Sequence, residues 1–90
     1  MQLLSGKVIF LTGGSAGIGF ECAKAYAEAG ANVVVAASSP QPVEEAVKQL
    51  GSRHLGIVCD VSKAGDVERA IAEAIAHYGK LDAIHNNAGV

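Results

Sequence analysis

The chain is 90 residues long, 50% hydrophobic, with a formal net charge of −2 and no tryptophan. That length holds one small domain, and the charge balance lacks the basic footprint that nucleic-acid binding requires. No run reaches the ~20 apolar residues of a membrane span, and residues 1–7 lack signal-peptide architecture.

Residues 7–12 contain the unbroken apolar run Val8-Ile9-Phe10-Leu11, the pattern of a strand buried on both faces. The run feeds directly into Thr12-Gly13-Gly14-Ser15-Ala16-Gly17-Ile18-Gly19. Glycine at 13 permits a tight turn after a strand, and small residues through 17 let backbone N–H groups approach phosphate oxygens. Gly19 lets the following helix pack close to the sheet. The free N–H groups and positive dipole end of that helix favour an anion. The spacing is G-x-x-x-G-x-G rather than G-x-G-x-x-G. No lysine followed by Ser or Thr closes the loop, which excludes a Walker-type nucleotide triphosphatase.

The helix is expected over residues 17–29, with Ile18, Cys22, Ala25, Tyr26 and Ala29 on its apolar face and Gly30 as its stop. A second apolar strand is expected over Asn32–Ala37. Ser38-Ser39-Pro40-Gln41-Pro42 then caps and opens a helix reaching Leu50. A third strand is expected at 54–59, followed by Asp60-Val61-Ser62. The third helix is expected over 63–78, with Ser62 as N-cap and an apolar face of Val67, Ala70, Ile71, Ala74, Ile75 and Tyr78. A fourth strand at 81–86 leads into Asn87-Ala88-Gly89-Val90. Cys22 and Cys59 lack a C-x-x-C pattern or a histidine at metal spacing, so buried free thiols in a cytoplasmic protein are expected.

The alternation β-α-β-α-β-α-β with short connections specifies an α/β fold: a parallel sheet with right-handed crossovers. Strand order 3-2-1-4 places the switch point between the first and fourth strands, where ligands bind outside the carboxyl ends. The first two helices are expected on one face of the sheet and the third on the other.

The glycine loop, Asp60-Val61 and Asn86-Asn87-Ala88-Gly89 stand in the order and spacing of the short-chain dehydrogenase/reductase family, which the whole chain resembles. The resemblance implies the amino-terminal part of a Rossmann-type dinucleotide-binding domain over residues 1–90, with the catalytic half absent. It implies that the backbone of Gly13, Gly14, Ser15, Ala16, Gly17, Ile18 and Gly19 embraces the cofactor phosphates. Asp60 would accept a hydrogen bond from the adenine amino group, with the Val61 main chain beside it. Asn87, Ala88 and Gly89 would line the ribose side. For Asp60 a turn or cap role is the structural alternative, and for Asn86 and Asn87 it is a tie between neighbouring strands. His85 is expected to be packed and hydrogen-bonded, with no role in chemistry.

Cofactor choice is read at the end of the second strand, where a carboxylate selects the ribose 2′-hydroxyl of NAD and a basic residue the 2′-phosphate of NADP. Ala37, Ser38 and Ser39 stand there. No carboxylate repels a 2′-phosphate and Ser38 can donate to it, so NADP(H) is preferred over NAD(H).

The family's chemistry is hydride transfer between nicotinamide and a carbonyl or alcohol carbon. It uses an upstream serine and a tyrosine with lysine four residues later, because an adjacent cation must lower the phenol pKa. Tyr26 is followed at that distance by Gly30 and Tyr78 by Asp82, so no catalytic residue is named. The 90 residues alone are expected to be inactive, a small-molecule substrate requiring the missing half. The alternatives are a stand-alone nucleotide- or partner-binding polypeptide without catalysis, and a non-catalytic NADP-sensing relative. The fourth strand, left as an edge, exposes hydrogen-bonding groups and apolar surface. The isolated chain is therefore expected to be marginally stable and to self-associate, as size-exclusion chromatography would read; a sharp monomer peak with high thermal stability contradicts it.

Overall fold

The computed structural model describes residues 3–13 and 17–86. Its elements alternate as expected: β1 (Val8–Thr12), α1 (Gly17–Glu28), β2 (Asn32–Ala37), α2 (Pro40–Leu50), β3 (Leu55–Val58), α3 (Ala64–Tyr78) and β4 (Ala83–Asn86). The sheet order is β3-β2-β1-β4, with all neighbours parallel. Residues of β1 are buried without exception, which explains why that strand carries no alternation of polar side chains.

Period-two geometry divides the strands between two cores. Val8, Phe10, Val34, Ala36 and Ile57 face α3, which contributes Ala70 and Ala74. Ile9, Leu11, Val33 and Val35 face α1 and α2, which contribute Ala23 and Ala46. The expected division of two helices on one face and one on the other is therefore observed. Alanine at each helix contact lets the helix axis approach the sheet, so the branched strand residues fill the layer.

The rotation of α1 departs from expectation. Gly19 and Ala23 are its buried residues, flanked by the partly buried Phe20, Cys22, Tyr26 and Ala27. Ile18 is 77% exposed and Ala25 is exposed as well. Small residues one helical turn apart permit the closest seat on the sheet, and that contact outweighs the gain from burying one isoleucine. Cys59 is buried, but Cys22 is only partly so; both are free thiols.

Two strands begin later than expected, for a shared reason. The Val33 N–H donates to His54 Nδ1 at 3.0 Å, and the Val8 N–H donates to Asp82 Oδ2 at 2.7 Å. A side chain thus supplies the acceptor just ahead of β3 and of β4, His54 and Asp82 lying outside those strands, although Asp82 also donates its own N–H to Val8 O at 2.9 Å. Both serve buried β1–β2 backbone that would otherwise lack a partner. The start of α3 differs too: Lys63 occupies the N-cap, without a side-chain capping bond, and Ser62 is engaged elsewhere. Ser39 caps α2 in position only, its side chain making no capping bond. On the outer side of the sheet Ile84 of β4 is 55% exposed.

Two measurements test this packing. At Gly56 an added Cβ would stand 2.6 Å from Val43 Cγ1 and 2.8 Å from Val47 Cγ2, where α2 crosses β3. Gly56→Ala is expected to cost ~1–3 kcal/mol by overpacking, seen as a lower urea midpoint; an unchanged midpoint would mean α2 sits further out. Burial first, and then the Arg53 charge, hold His54 below its ordinary pKa. The unfolded chain therefore takes up this proton first, so stability falls as pH drops below ~6.5 and levels off beneath the folded-state pKa. His54→Gln should flatten that part of the stability–pH curve, while leaving the lower-pH loss that belongs to carboxylates.

Candidate functional site

The carboxyl ends of β1, β2 and β3 open onto one crevice. Gly13 follows β1 directly, its N–H donating to Ala36 O at 2.8 Å and its φ at 69°. Gly17 starts α1 with φ 59°, and among the described residues a Cβ there would meet nothing within 4 Å beyond its own chain neighbours. Both angles lie in the left-handed region that glycine enters without a side-chain penalty. The first turn of α1 thus presents unobstructed backbone at the positive end of the helix. Gly19 is buried against the sheet and Ile18 points outward. Gly14, Ser15 and Ala16 lie outside the described residues.

The crevice itself is lined by Gly13, Ala36, Ala37, Ser38, Cys59, Asp60 and Val61, with a volume of about 180 Å³. Whole drug-sized ligands occupy pockets of ~300–1,000 Å³, so this one has room for only one end of such a ligand. Its floor is small-residued, its rim carries the exposed Ser38, and Val61 adds a 39% exposed apolar side chain. Cys59 is 1% exposed, and burial pushes its thiol up from the ordinary value. That leaves it a packed thiol rather than a nucleophile.

Asp60 is built into a turn. Its Oδ1 accepts from the Ser62 N–H at 3.0 Å and from Ser62 Oγ at 2.6 Å. These two bonds, the side-chain one first, hold its carboxyl below the usual range, so it presents an ionised acceptor at neutral pH. Ser62, expected to cap α3, instead serves this turn. The Asp60 N–H donates to Asp66 Oδ2 at 2.6 Å, in the first turn of α3. Asp66 Oδ1 accepts from Arg69 Nε at 3.0 Å and Nη2 at 2.9 Å. Arg69 Nη2 also reaches Val58 O at 2.7 Å, and Nη1 reaches Glu73 Oε1 at 2.7 Å. The loop leaving β3 is therefore clamped from α3. Residue order gives Asp66, in the first turn of α3, only a favourable place at the helix dipole, and gives Arg69 no role. The signal available was their i, i+3 spacing, which puts them on one helix face.

Across β1, Thr12 Oγ1 donates to Asn86 Oδ1 at 2.9 Å, so this asparagine ties adjacent strand ends. Asn87, Ala88 and Gly89 lie outside the described residues. His85 Nδ1 stands 2.7 Å from the Tyr26 hydroxyl, which bridges β4 to α1, and Tyr78 OH donates to Arg53 O at 2.6 Å. Both phenols are held by the fold. No group of His, Cys, Asp and Glu among the described residues could hold a metal ion. Nor is any described helix long and apolar enough to cross a membrane.

A glycine turn into a helix, a small-walled crevice and an ionised aspartate at the carboxyl ends of a parallel sheet suit a phosphate-bearing ligand with a polar ring. Comparison with known proteins agrees with the fold. A family model described as short chain dehydrogenase matches residues 7–90. Borneol dehydrogenase, mitochondrial, of Lavandula x intermedia is 41% identical over all of this chain and 34% of its own length. Momilactone A synthase of Oryza sativa subsp. japonica is 44% identical, over 97% of this chain and 32% of its own. Among solved structures, a short chain dehydrogenase from Mycobacterium smegmatis superposes with TM-score 0.93 at 33% identity, covering 100% of this chain and 40% of that one. The 3-ketoacyl-(acyl-carrier-protein) reductase of Brucella melitensis, complexed with NADH, gives TM-score 0.87 at 34% identity, over 90% of this chain and 33% of that one. The chain thus spans about a third of the length of the curated relatives it matches. With a family model covering nearly its whole length and the same sheet in solved members, this chain belongs to the short-chain dehydrogenase family.

Proposed function

We propose that this chain is the cofactor-holding portion of an NAD(P)-dependent oxidoreductase acting on a carbonyl or alcohol substrate. The observation that carries the reading is the meeting of Gly13, Ser38 and Asp60 around one crevice at the carboxyl ends of three adjacent strands. The NADH bound to the Brucella melitensis reductase, whose fold this chain shares, supports it.

When bound, the nicotinamide supplies or receives the hydride. This chain's own residues do the holding. The glycine-rich backbone from Gly13 to Gly19 takes the pyrophosphate, because left-handed glycines leave N–H groups unshielded at a helix start. Asp60, ionised and fixed by Ser62, accepts from the adenine amino group, with Val61 packing against the ring. Asn87, Ala88 and Gly89 line the ribose side. Ser38 sits where the adenine ribose ends, and with no carboxylate beside it a 2′-phosphate is tolerated and a hydroxyl can donate to it. NADP(H) is preferred over NAD(H) on that ground.

The 90 residues by themselves hold cofactor without turning over substrate. Tyr78 is committed to Arg53 O and Tyr26 to His85, and neither has a lysine four residues on. The two free thiols suit a reducing interior, cytoplasmic in our reading.

Titration of the purified chain with NADPH and NADH, read by fluorescence and thermal shift, tests the cradle. Saturable binding is expected, tighter for NADPH. Asp60→Ala should weaken it about ten- to a hundredfold, the range for losing a hydrogen bond to a charged group. Gly13→Asp should abolish it, placing both a side chain and a negative charge at the phosphate turn. A folded chain that binds neither dinucleotide would overturn the proposal.

A further inference from the structure

The adenine-side wall of the crevice is a loop, and what fixes a loop decides how well it recognises anything. Between Val58 and Ala64 the chain leaves β3, turns at Asp60 and enters α3. Backbone bonds hold its two ends, from Cys59 N to Ala37 O at 2.8 Å and from Lys63 N to Asp60 O at 3.0 Å. The middle is held by α3 side chains. Asp66 places one carboxylate oxygen on the Asp60 N–H and the other on Arg69. Arg69 closes the circuit on the last carbonyl of β3, at Val58.

This is a short ring of charge-assisted bonds spanning strand end, turn and helix start. None of its members lines the crevice except Asp60, yet together they set the direction in which the Asp60 backbone leaves the sheet. Hydrogen bonds from backbone and guanidinium, the Asp60 N–H first, hold the Asp66 carboxyl below its usual range. The clamp is thus ionised across neutral pH.

We propose that Asp66 and Arg69 are positioning residues for the adenine end of the dinucleotide, acting through the Asp60 turn. The inference rests on the cofactor reading above and adds residues to it that touch no ligand. The pair pre-sets the Asp60 acceptor, so the ordering of this loop is not left to be done at binding. Loosening the clamp should therefore cost recognition of the adenine amino group in particular, not affinity in general.

The test compares the preferred dinucleotide with its deaminated analogue, which carries hypoxanthine in place of adenine and has no amino group to donate. The intact chain should favour the amino form roughly tenfold, the scale of one hydrogen bond to a charged acceptor. In Asp66→Asn the single remaining carbonyl oxygen cannot serve both Asp60 and Arg69, and the preference should shrink to within about twofold of parity. Arg69→Lys should do the same, since an ammonium cannot reach Asp66, Val58 and Glu73 as a fork does. The Arg69 side chain is 44% exposed, so this variant keeps the fold if Asp66→Asn does not. Circular dichroism checks that point, and the Asp60 amide resonance should move upfield in either variant as its bond to the carboxylate lengthens.

Folded variants that keep the full amino preference would overturn the inference. So would equal loss of both dinucleotides, which marks a merely structural role. An intact chain that binds both equally would overturn it while leaving the cofactor cradle standing. An intact chain that binds neither removes the cofactor reading and this inference together.

Discussion

A strand buried on both faces and flanked on both edges has no water to satisfy its backbone, and β1 is such a strand. Each of its N–H and C=O groups must find a partner within the protein. Parallel pairing with β2 and β4 meets most of that requirement. At the amino ends of the sheet, where the ladders start unevenly, the Asp82 carboxylate completes it at Val8, and the His54 ring does the same for Val33 of the neighbouring β2. The rest of the chain follows from seating that strand: three helices cover its faces, and their crossovers return each strand in the same direction.

Because all four strands run the same way, their carboxyl ends share one side, and the loops leaving β1, β2 and β3 there face a common crevice. The glycine turn after β1, the serines after β2 and the aspartate turn after β3 are brought together by topology rather than by proximity in the chain. The sheet is rigid, so these loops inherit its spacing. What the sheet does not fix, α3 does, through the Asp66–Arg69 clamp on the β3 exit. In the function we propose, recognition at this end is shared between backbone geometry at Gly13 and Gly17 and charge geometry at Asp60.

Much of this was legible in residue order. The apolar runs at Val8-Ile9-Phe10-Leu11 and Val33-Val34-Val35 read as buried parallel strands, and the expected order 3-2-1-4 is the one observed. The glycine positions and Asp60 marked turns at the carboxyl ends of β1 and β3 because loop chemistry is local. The boundaries were less accessible: residues 54, 81 and 82 read as strand by composition, yet His54 meets β2 through its ring, and Asp82 meets β1 through both its carboxylate and its own N–H. The face of α1 was misread at Ile18 and Ala25. Apolar count favours them, while close packing favours Gly19 and Ala23. Ser62 has the chemistry of an N-cap and was drawn instead to the Asp60 carboxylate two residues earlier.

By itself the sequence determined the α/β alternation, the parallel sheet and the glycine-rich turn into α1, since hydrophobic period and turn chemistry act over a few residues. Tertiary structure alone decided which side of α1 meets the sheet and which side chains close the strand ends. It also decided that α3 anchors the Asp60 turn. The physical reason is distance along the chain. The Val8–Asp82 and Thr12–Asn86 bonds each join residues 74 positions apart, and the Tyr26–His85 contact spans 59. No local pattern records such pairings; they exist only once the sheet has brought their strands side by side.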